Sequence, residues 1–366
     1  MTADCVGGVW TYALELTRQL AVRNVEVTLV VMGGKPSLDQ AHEASLIPNL
    51  SLIGTDLRLE WMDDCDEHLK LARELLLDIE SEQHPDVVHV NGFAQAALPF
   101  SAPVVCVAHS CVSSWWRACR GGDLPPAWRA YERRVSEGIA AADLLVAPTA
   151  RFLAEVEARH GAPRRSRVIW NGRDPALYRS AEKRSIALAA GRLWDDAKNI
   201  ALLRDAARDL PYPVAVAGAA AGPDGGAIEC APLIDLGRLA PGELAARMSE
   251  AAIFVSPARY EPFGLAVLEA ALSGCALVLS GIPTFRELWD GAARFVPTDD
   301  PARLREELEA LFEQPAAAAA LGRAARMRAE RYTAERMGRA YHAAYCELIE
   351  ARTGPSVQTV PLQAIA

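Results

Sequence analysis

Short, continuous apolar runs alternate with helical patterns along nearly the whole chain, and this alternation narrows the possible folds more than any other feature. In the first half the runs read VEVTLVVM (25–32), LSLIG (50–54), DVVHV (86–90), PVVCVAH (103–109), DLLVAP (143–148) and RVIW (167–170). Helical patterns fit 8–22, 66–82, 126–141 and 149–160. The second half repeats the scheme with SIALAAG (185–191), PVAVAG (213–218), IDLG (234–237), AIFVSP (252–257), ALVLS (276–280) and ARFV (293–296). Helices fit 199–209, 242–250, 264–273, 284–290 and 302–313. Runs without polar alternation are strands covered on both faces. Strand–helix alternation builds parallel sheet.

A chain of 366 residues is long enough for about two domains. The pattern predicts an α/β protein of two Rossmann-like, doubly wound domains. The first spans 1–170 and the second 171–345, with the connection at 171–183. Residues 346–366 read as the end of a C-terminal helix and a loose tail. Thr149 can cap one helix, and Gly161 followed by Pro163 can end it. Thr284 and Glu287 have capping-box spacing. The arginines at 323, 326, 328, 331, 336 and 339 are interleaved with glutamates and read as a solvated helix face.

Several functional classes are disfavoured at once. Hydrophobic residues are 51% and charged residues 23% of the chain, so a packed core outweighs disorder. No apolar run approaches the roughly 20 residues of a membrane span. MTADCVGGVW has no basic region ahead of an apolar core, so a cytoplasmic location is expected. The net charge is −9 and neither half is basic, which argues against nucleic acid as a partner. The eight cysteines form no C-x-x-C pair and read as reduced.

Two segments carry the chemistry. In SPARYEPFGLAVLEAALSGC (256–275) a strand ends, a loop holds Glu261, and a helix begins near Gly264. Free amides and the dipole at a helix N-terminus suit a phosphate. Glu261 could accept hydrogen bonds from a sugar, and Glu269 could reach a ribose. In LAAGRLWDDAKNI (188–200) Arg192 and Lys198 follow a strand end. Open parallel sheets bind ligands there, so both cations would lie where a diphosphate sits and would stabilise the charge on its departure.

With VGGVWTYALELTRQL and IWNGRD, these segments resemble the family 4 glycosyltransferases, retaining enzymes of the two-domain GT-B fold. The likeness covers about 1–345. It implies an acceptor-side first domain and a donor-binding second domain facing each other across a cleft. Arg192 and Lys198 match the basic pair on the donor diphosphate. Glu261 matches the glutamate on the donor sugar. Phe263, Gly264 and Leu265 match the loop whose amides touch sugar and phosphate. Glu269 matches the ribose glutamate. Gly7 and Gly8 match the glycine loop opposite the phosphates. His109 matches a histidine beside the reacting sugar. Gly237 and Arg238 match the segment near the base edge.

The resemblance implies a hexosyltransferase that moves a sugar from a nucleotide-diphosphate donor to a glycan, lipid-linked or small-molecule hydroxyl with retention of configuration. No cofactor or metal is expected. Asp63, Asp64 and Asp66 make a D-x-D run, but it opens an acidic helical stretch rather than following a strand. An epimerase, a phosphorylase or a non-catalytic sugar-nucleotide binder is the alternative.

Two features depart from the family pattern. Only residues 1–5 precede the glycine loop, so the first strand is either very short or truncated, and a missing one would expose two sheet edges. Asn199 stands where many relatives carry glycine. Trp115, Trp116, Arg117, Arg120, Arg133 and Arg134 could form a peripheral membrane contact at the inner membrane face, or rim an acceptor pocket.

Overall fold

The computed structural model describes residues 1–222 and 226–353. Its strands are β1 (Thr2–Asp4), β2 (Val27–Met32), β3 (Leu50–Gly54), β4 (Val88–Val90), β5 (Val104–Val107), β6 (Leu144–Ala147) and β7 (Ser166–Val168) in the first half. The second half holds β8 (Arg184–Ala190), β9 (Val214–Ala217), β10 (Ile234–Asp235), β11 (Ala251–Ser256), β12 (Ala276–Ser280) and β13 (Arg294–Val296). Every ladder between these strands is parallel. Helices cover both faces of each sheet, which is why the strand runs lack polar alternation.

The second domain has one six-stranded sheet, ordered β10-β9-β8-β11-β12-β13. The first domain has two ladders, β1-β2-β3 and β4-β5-β6-β7. They meet where β1 touches β4. Side chains close this seam. The Asn91 backbone N–H donates to Thr2 Oγ1 at 2.9 Å, and its side-chain Nδ2 donates to the Thr2 carbonyl at 2.6 Å. A first strand is therefore present at Thr2–Asp4. Its three residues pair with Val30, Val31 and Met32 of β2.

The helix Ala334–Thr353 crosses back to the first domain. Met337, Tyr341, Ala344, Tyr345 and Leu348 are buried there with Tyr12, Leu14 and Leu16. Residues 334–345, grouped by sequence with the second domain, thus complete the core of the first. Linear alternation could not reveal this, because the helix follows the last strand of the other sheet. The tail expected after it lies mostly outside the described residues.

Two smaller expectations change. Thr284 and Glu287 do not form a capping box: the helix Pro283–Trp289 has Ile282 at its N-cap. Glu287 instead accepts from Ala150 N at 2.8 Å and Arg151 N at 2.7 Å, so it caps a helix of the other domain. Helices Leu38–Ser45 and Val112–Arg120 were not among those expected from the sequence.

At the crossing, the linker and the returning chain touch backbone to backbone. Arg173 N donates to Tyr332 O at 3.2 Å, and Ala334 N donates to Arg173 O at 3.0 Å. A Cβ on Gly172 would lie 2.3 Å from Thr333 O and 2.7 Å from Ala334 N. Gly172→Ala should destabilise the chain by about 1–3 kcal/mol, as other overpacked sites do. Urea unfolding measures this, and an unchanged midpoint would contradict the tight crossing.

Candidate active site

Strand order fixes where a ligand can bind. In the second domain the order reverses between β8 and β11, and in the first between β1 and β4. Ligands of open parallel sheets lie outside the carboxyl ends at such reversals. The loop after β8 carries Arg192 and Lys198, and the loop after β11 carries Glu261. The sequence-predicted cations and carboxylate therefore sit on adjacent strands.

Lys198 Nζ lies 2.5 Å from Glu261 Oε2, with the two side chains 22% and 17% exposed. Arg192 Nη2 lies 2.8 Å from Asp195 Oδ2. Asp195 also accepts from Trp115 Nε1 at 2.9 Å and from Ala197 N at 3.0 Å. Burial raises the Asp195 carboxyl, but Arg192, Trp115 and the Ala197 N–H outweigh it and hold it below the usual range. An anionic carboxylate thus fixes the arginine in the cleft. Asn199 has φ 55, a left-handed conformation that glycine adopts without strain. Asparagine tolerates it, and its Nδ2 donates to Pro257 O at 3.0 Å and Thr298 O at 2.8 Å. The side chain thereby ties the cation loop to the Glu261 loop.

Gly264 is the N-cap of the helix Leu265–Leu272, with φ 88. A Cβ there would be 3.0 Å from Phe285 Cε1 and 3.3 Å from Glu261 Cγ. Phe263 is buried edge-to-face on Tyr332, at a centroid distance of 5.8 Å. Its side chain anchors the loop, leaving the backbone to face the cleft. From the opposite domain, Gly7 and Gly8 open the helix Gly8–Ala21. A Cβ on Gly7 would lie 3.5 Å from Arg192 Nη1, and one on Gly8 the same distance from Leu265 Cδ1. Two helix N-termini therefore face one another across Arg192.

His109 Nε2 lies 2.8 Å from Asn91 Oδ1, and its ring packs edge-on against Tyr12 at 4.5 Å. Burial lowers its pKa to about 3, so the ring is neutral. Asn91 Nδ2 is committed to Thr2 O, which presents Oδ1 to His109. The neutral ring therefore carries its hydrogen on Nε2 and keeps Nδ1 as an acceptor.

Glu269 is drawn into the structure. Its Oε1 lies 3.0 Å from Arg173 Nε, with side chains 14% and 9% exposed. Gly237 (φ 63) accepts from Gly218 N at 2.8 Å, placing it at the carboxyl edge beside β9. Arg238 is exposed beside it.

Two cleft residues were missed by sequence reasoning. Asn91 bridges the seam, and Asp4 ends β1 close enough to Arg192 to feel its charge. A short strand and a lone asparagine carry little sequence signal.

The aromatic–basic cluster is largely used internally. Trp115 bonds Asp195, Arg120 Nη2 lies 2.5 Å from Asp196 Oδ2, and Arg134 pairs with Asp66. Trp115 and Arg120 therefore bridge the two domains beside the cleft, while Arg117 and Arg133 remain exposed. Asp66 starts the helix Asp66–Gln83, where acidic residues match the dipole. Among the described residues no three His, Cys, Asp or Glu side chains group to hold a metal ion, and no helix is long and apolar enough to cross a membrane.

Residues 6–177 match the pattern of Glycosyltransferase Family 4, and residues 184–314 that of Glycosyl transferases group 1. The chain belongs to the family 4 glycosyltransferases. It is a hexosyltransferase that moves a sugar from a nucleotide-sugar donor. A D-inositol 3-phosphate glycosyltransferase of Frankia alni is 29% identical over 374 residues, covering 87% of this chain and 90% of that one. One from Catenulispora acidiphila is 30% identical over 278 residues, covering 64% of this chain and 66% of its length. The fold is GT-B. Sucrose-phosphate synthase from Thermosynechococcus elongatus superposes with a TM-score of 0.81 at 18% identity, covering 96% of this chain and 99% of that one. Anabaena Alr3699/HepE in complex with UDP-glucose superposes with a TM-score of 0.73 at 14% identity, covering 94% of this chain and 99% of that one.

Burial, partly offset by the Val6 N–H and Arg192, pushes the Asp4 carboxyl up to about 6 from 3.8. The folded state then holds a proton that the unfolded chain has lost, so stability falls as pH rises from about 4 to 6. Asp4→Asn should stabilise the protein at pH 8 by up to about 3 kcal/mol, with the gain shrinking as pH falls through 6. Thermal midpoints at pH 8 and pH 5 check this, and a pH-independent difference would contradict it.

Proposed function

We propose that the donor is a uridine diphosphate hexose and that transfer proceeds with retention of anomeric configuration. The observation that carries the reading is the placement of Arg192 and the Lys198–Glu261 pair between two opposed helix N-termini. That arrangement offers backbone amides and two cations to a diphosphate, and a carboxylate to the sugar next to it. Gly7 and Gly8 from one side, and Phe263, Gly264 and Leu265 from the other, approach the phosphates and sugar by backbone. Gly237 and Arg238 border the base. Glu269 takes the ribose hydroxyls at the part of its carboxylate not held by Arg173. His109 accepts a sugar hydroxyl at Nδ1.

The anomeric C–O bond to the diphosphate breaks as the acceptor oxygen bonds to the same face of that carbon. The acceptor proton passes to the departing phosphate oxygen. Arg192 and Lys198 stabilise the charge on that leaving group, where charge-assisted bonds contribute about 1.5–3 kcal/mol each. No metal is invoked, because these cations and amides meet the same charge. The uridine diphosphate reading draws on the Anabaena complex. The acceptor reading, a phosphorylated cyclitol, draws on the D-inositol 3-phosphate relatives. With Trp115 and Arg120 occupied at the domain contact, a soluble acceptor fits better than a lipid-linked one. A cytoplasmic location, where nucleotide sugars are made, fits the same reading.

A thermal-shift panel of UDP, GDP and ADP tests the donor. UDP at about 100 times its dissociation constant should add about 2.7 kcal/mol of stability, and Lys198→Ala should abolish the shift. A shift by GDP or ADP alone would overturn the uridine reading. Incubation with UDP-glucose and D-inositol 3-phosphate, followed by proton NMR of the product's anomeric coupling, tests configuration. An inverted product would overturn retention.

A further inference from the structure

Arg173 stands in the linker between the domains, and its side chain is nearly buried. Nη1 lies 2.9 Å from Glu15 Oε2, with side chains 9% and 3% exposed. Nε lies 3.0 Å from Glu269 Oε1 and donates to Tyr178 Oη at 2.9 Å. The Tyr178 hydroxyl in turn bonds Glu269. One guanidinium therefore holds two buried carboxylates from different domains. Burial raises both carboxyls above their usual range, with the Arg173 charge opposing it. The fork geometry of arginine, which presents separate N–H groups to separate acceptors, suits this double contact better than a lysine ammonium.

The positions of those carboxylates matter more than their pairing. Glu15 lies about two turns below Gly8, and Glu269 about one and a half turns below Gly264. These are the two helices whose N-termini oppose each other across Arg192. The Arg173 backbone is itself fixed to Tyr332 O and by Ala334 N at the chain crossing. The guanidinium is thus anchored at the pivot and grips both helices below their phosphate-facing ends.

We propose that Arg173 is a positioning residue that sets the spacing and angle of the two helix N-termini, so that both bear on one donor diphosphate. Arg173 and Glu15 touch no part of the nucleotide; they act through the helices. The inference rests on the donor-site reading above and adds how that site is held to shape.

Glu15→Gln gives the cleanest test, because it loosens the first-domain helix while leaving every proposed nucleotide contact in place. UDP binding to the full chain is measured by calorimetry, with circular dichroism and thermal midpoints as checks on folding. Glu15→Gln should weaken UDP binding about 2- to 30-fold, the range of coupling through a packed network. Arg173→Lys should keep more thermal stability than Arg173→Met, yet bind UDP as weakly, because it cannot serve both carboxylates. Lower midpoints with unchanged UDP affinity in all folded variants would reduce the network to a structural role and overturn the proposal. Should the wild-type chain bind no nucleoside diphosphate, the donor-site reading falls, and this inference falls with it.

Discussion

Everything at the cleft depends on the contact between chain segments 171–174 and 332–334. The first leads from one domain to the other, and the second leads back. Gly172 lets them approach with no room for a Cβ, and Arg173 is bonded on both backbone groups to the returning strand of chain. The domains are therefore joined twice at one point, and the helix Ala334–Thr353 is carried into the first core. Remote contacts reinforce that relation. Glu287 caps a helix of the other domain, Tyr260 accepts from Cys111 N at 2.9 Å, and Asp195 receives Trp115. These contacts are short-range and directional, so they fix how the two sheet edges face each other.

The chemistry then follows from sheet topology. Strand-order reversals place the cation loop beside the Glu261 loop and the glycine loop opposite both. The cations are not free charges: Arg192 is held by Asp195 and Lys198 by Glu261. On the reading proposed above, a donor diphosphate would meet positive groups that are already oriented. Such preorganisation is what makes electrostatic stabilisation of a leaving group effective.

Much of this was legible in the linear sequence because parallel strands buried on both faces leave continuous apolar runs. β3 and β12 match their runs residue for residue, and the boundaries of the other expected strands shift by no more than two residues. Helix Leu38–Ser45 had a usable signal in Ser37 and Gln40, which form a capping box, but its apolar face is weak. Helix Val112–Arg120 is amphipathic but only 9 residues long, and Trp115 and Arg120 find their partners in the other domain. Asn199 departs from glycine and yet keeps the left-handed turn, because its amide bonds two carbonyls.

The sequence by itself determined the parallel α/β architecture, the two-domain division and the placement of Arg192, Lys198, Glu261 and Gly264 at strand ends. Those properties come from local periodicity and from spacing along one strand–loop–helix unit. Only the tertiary structure decided that Glu269 is gripped by Arg173, that Asp4 and Asn91 enter the cleft, and that the last helix belongs to the first core. Each of those depends on contacts between residues far apart in the chain, and hydrophobic periodicity carries no information about which distant segments meet.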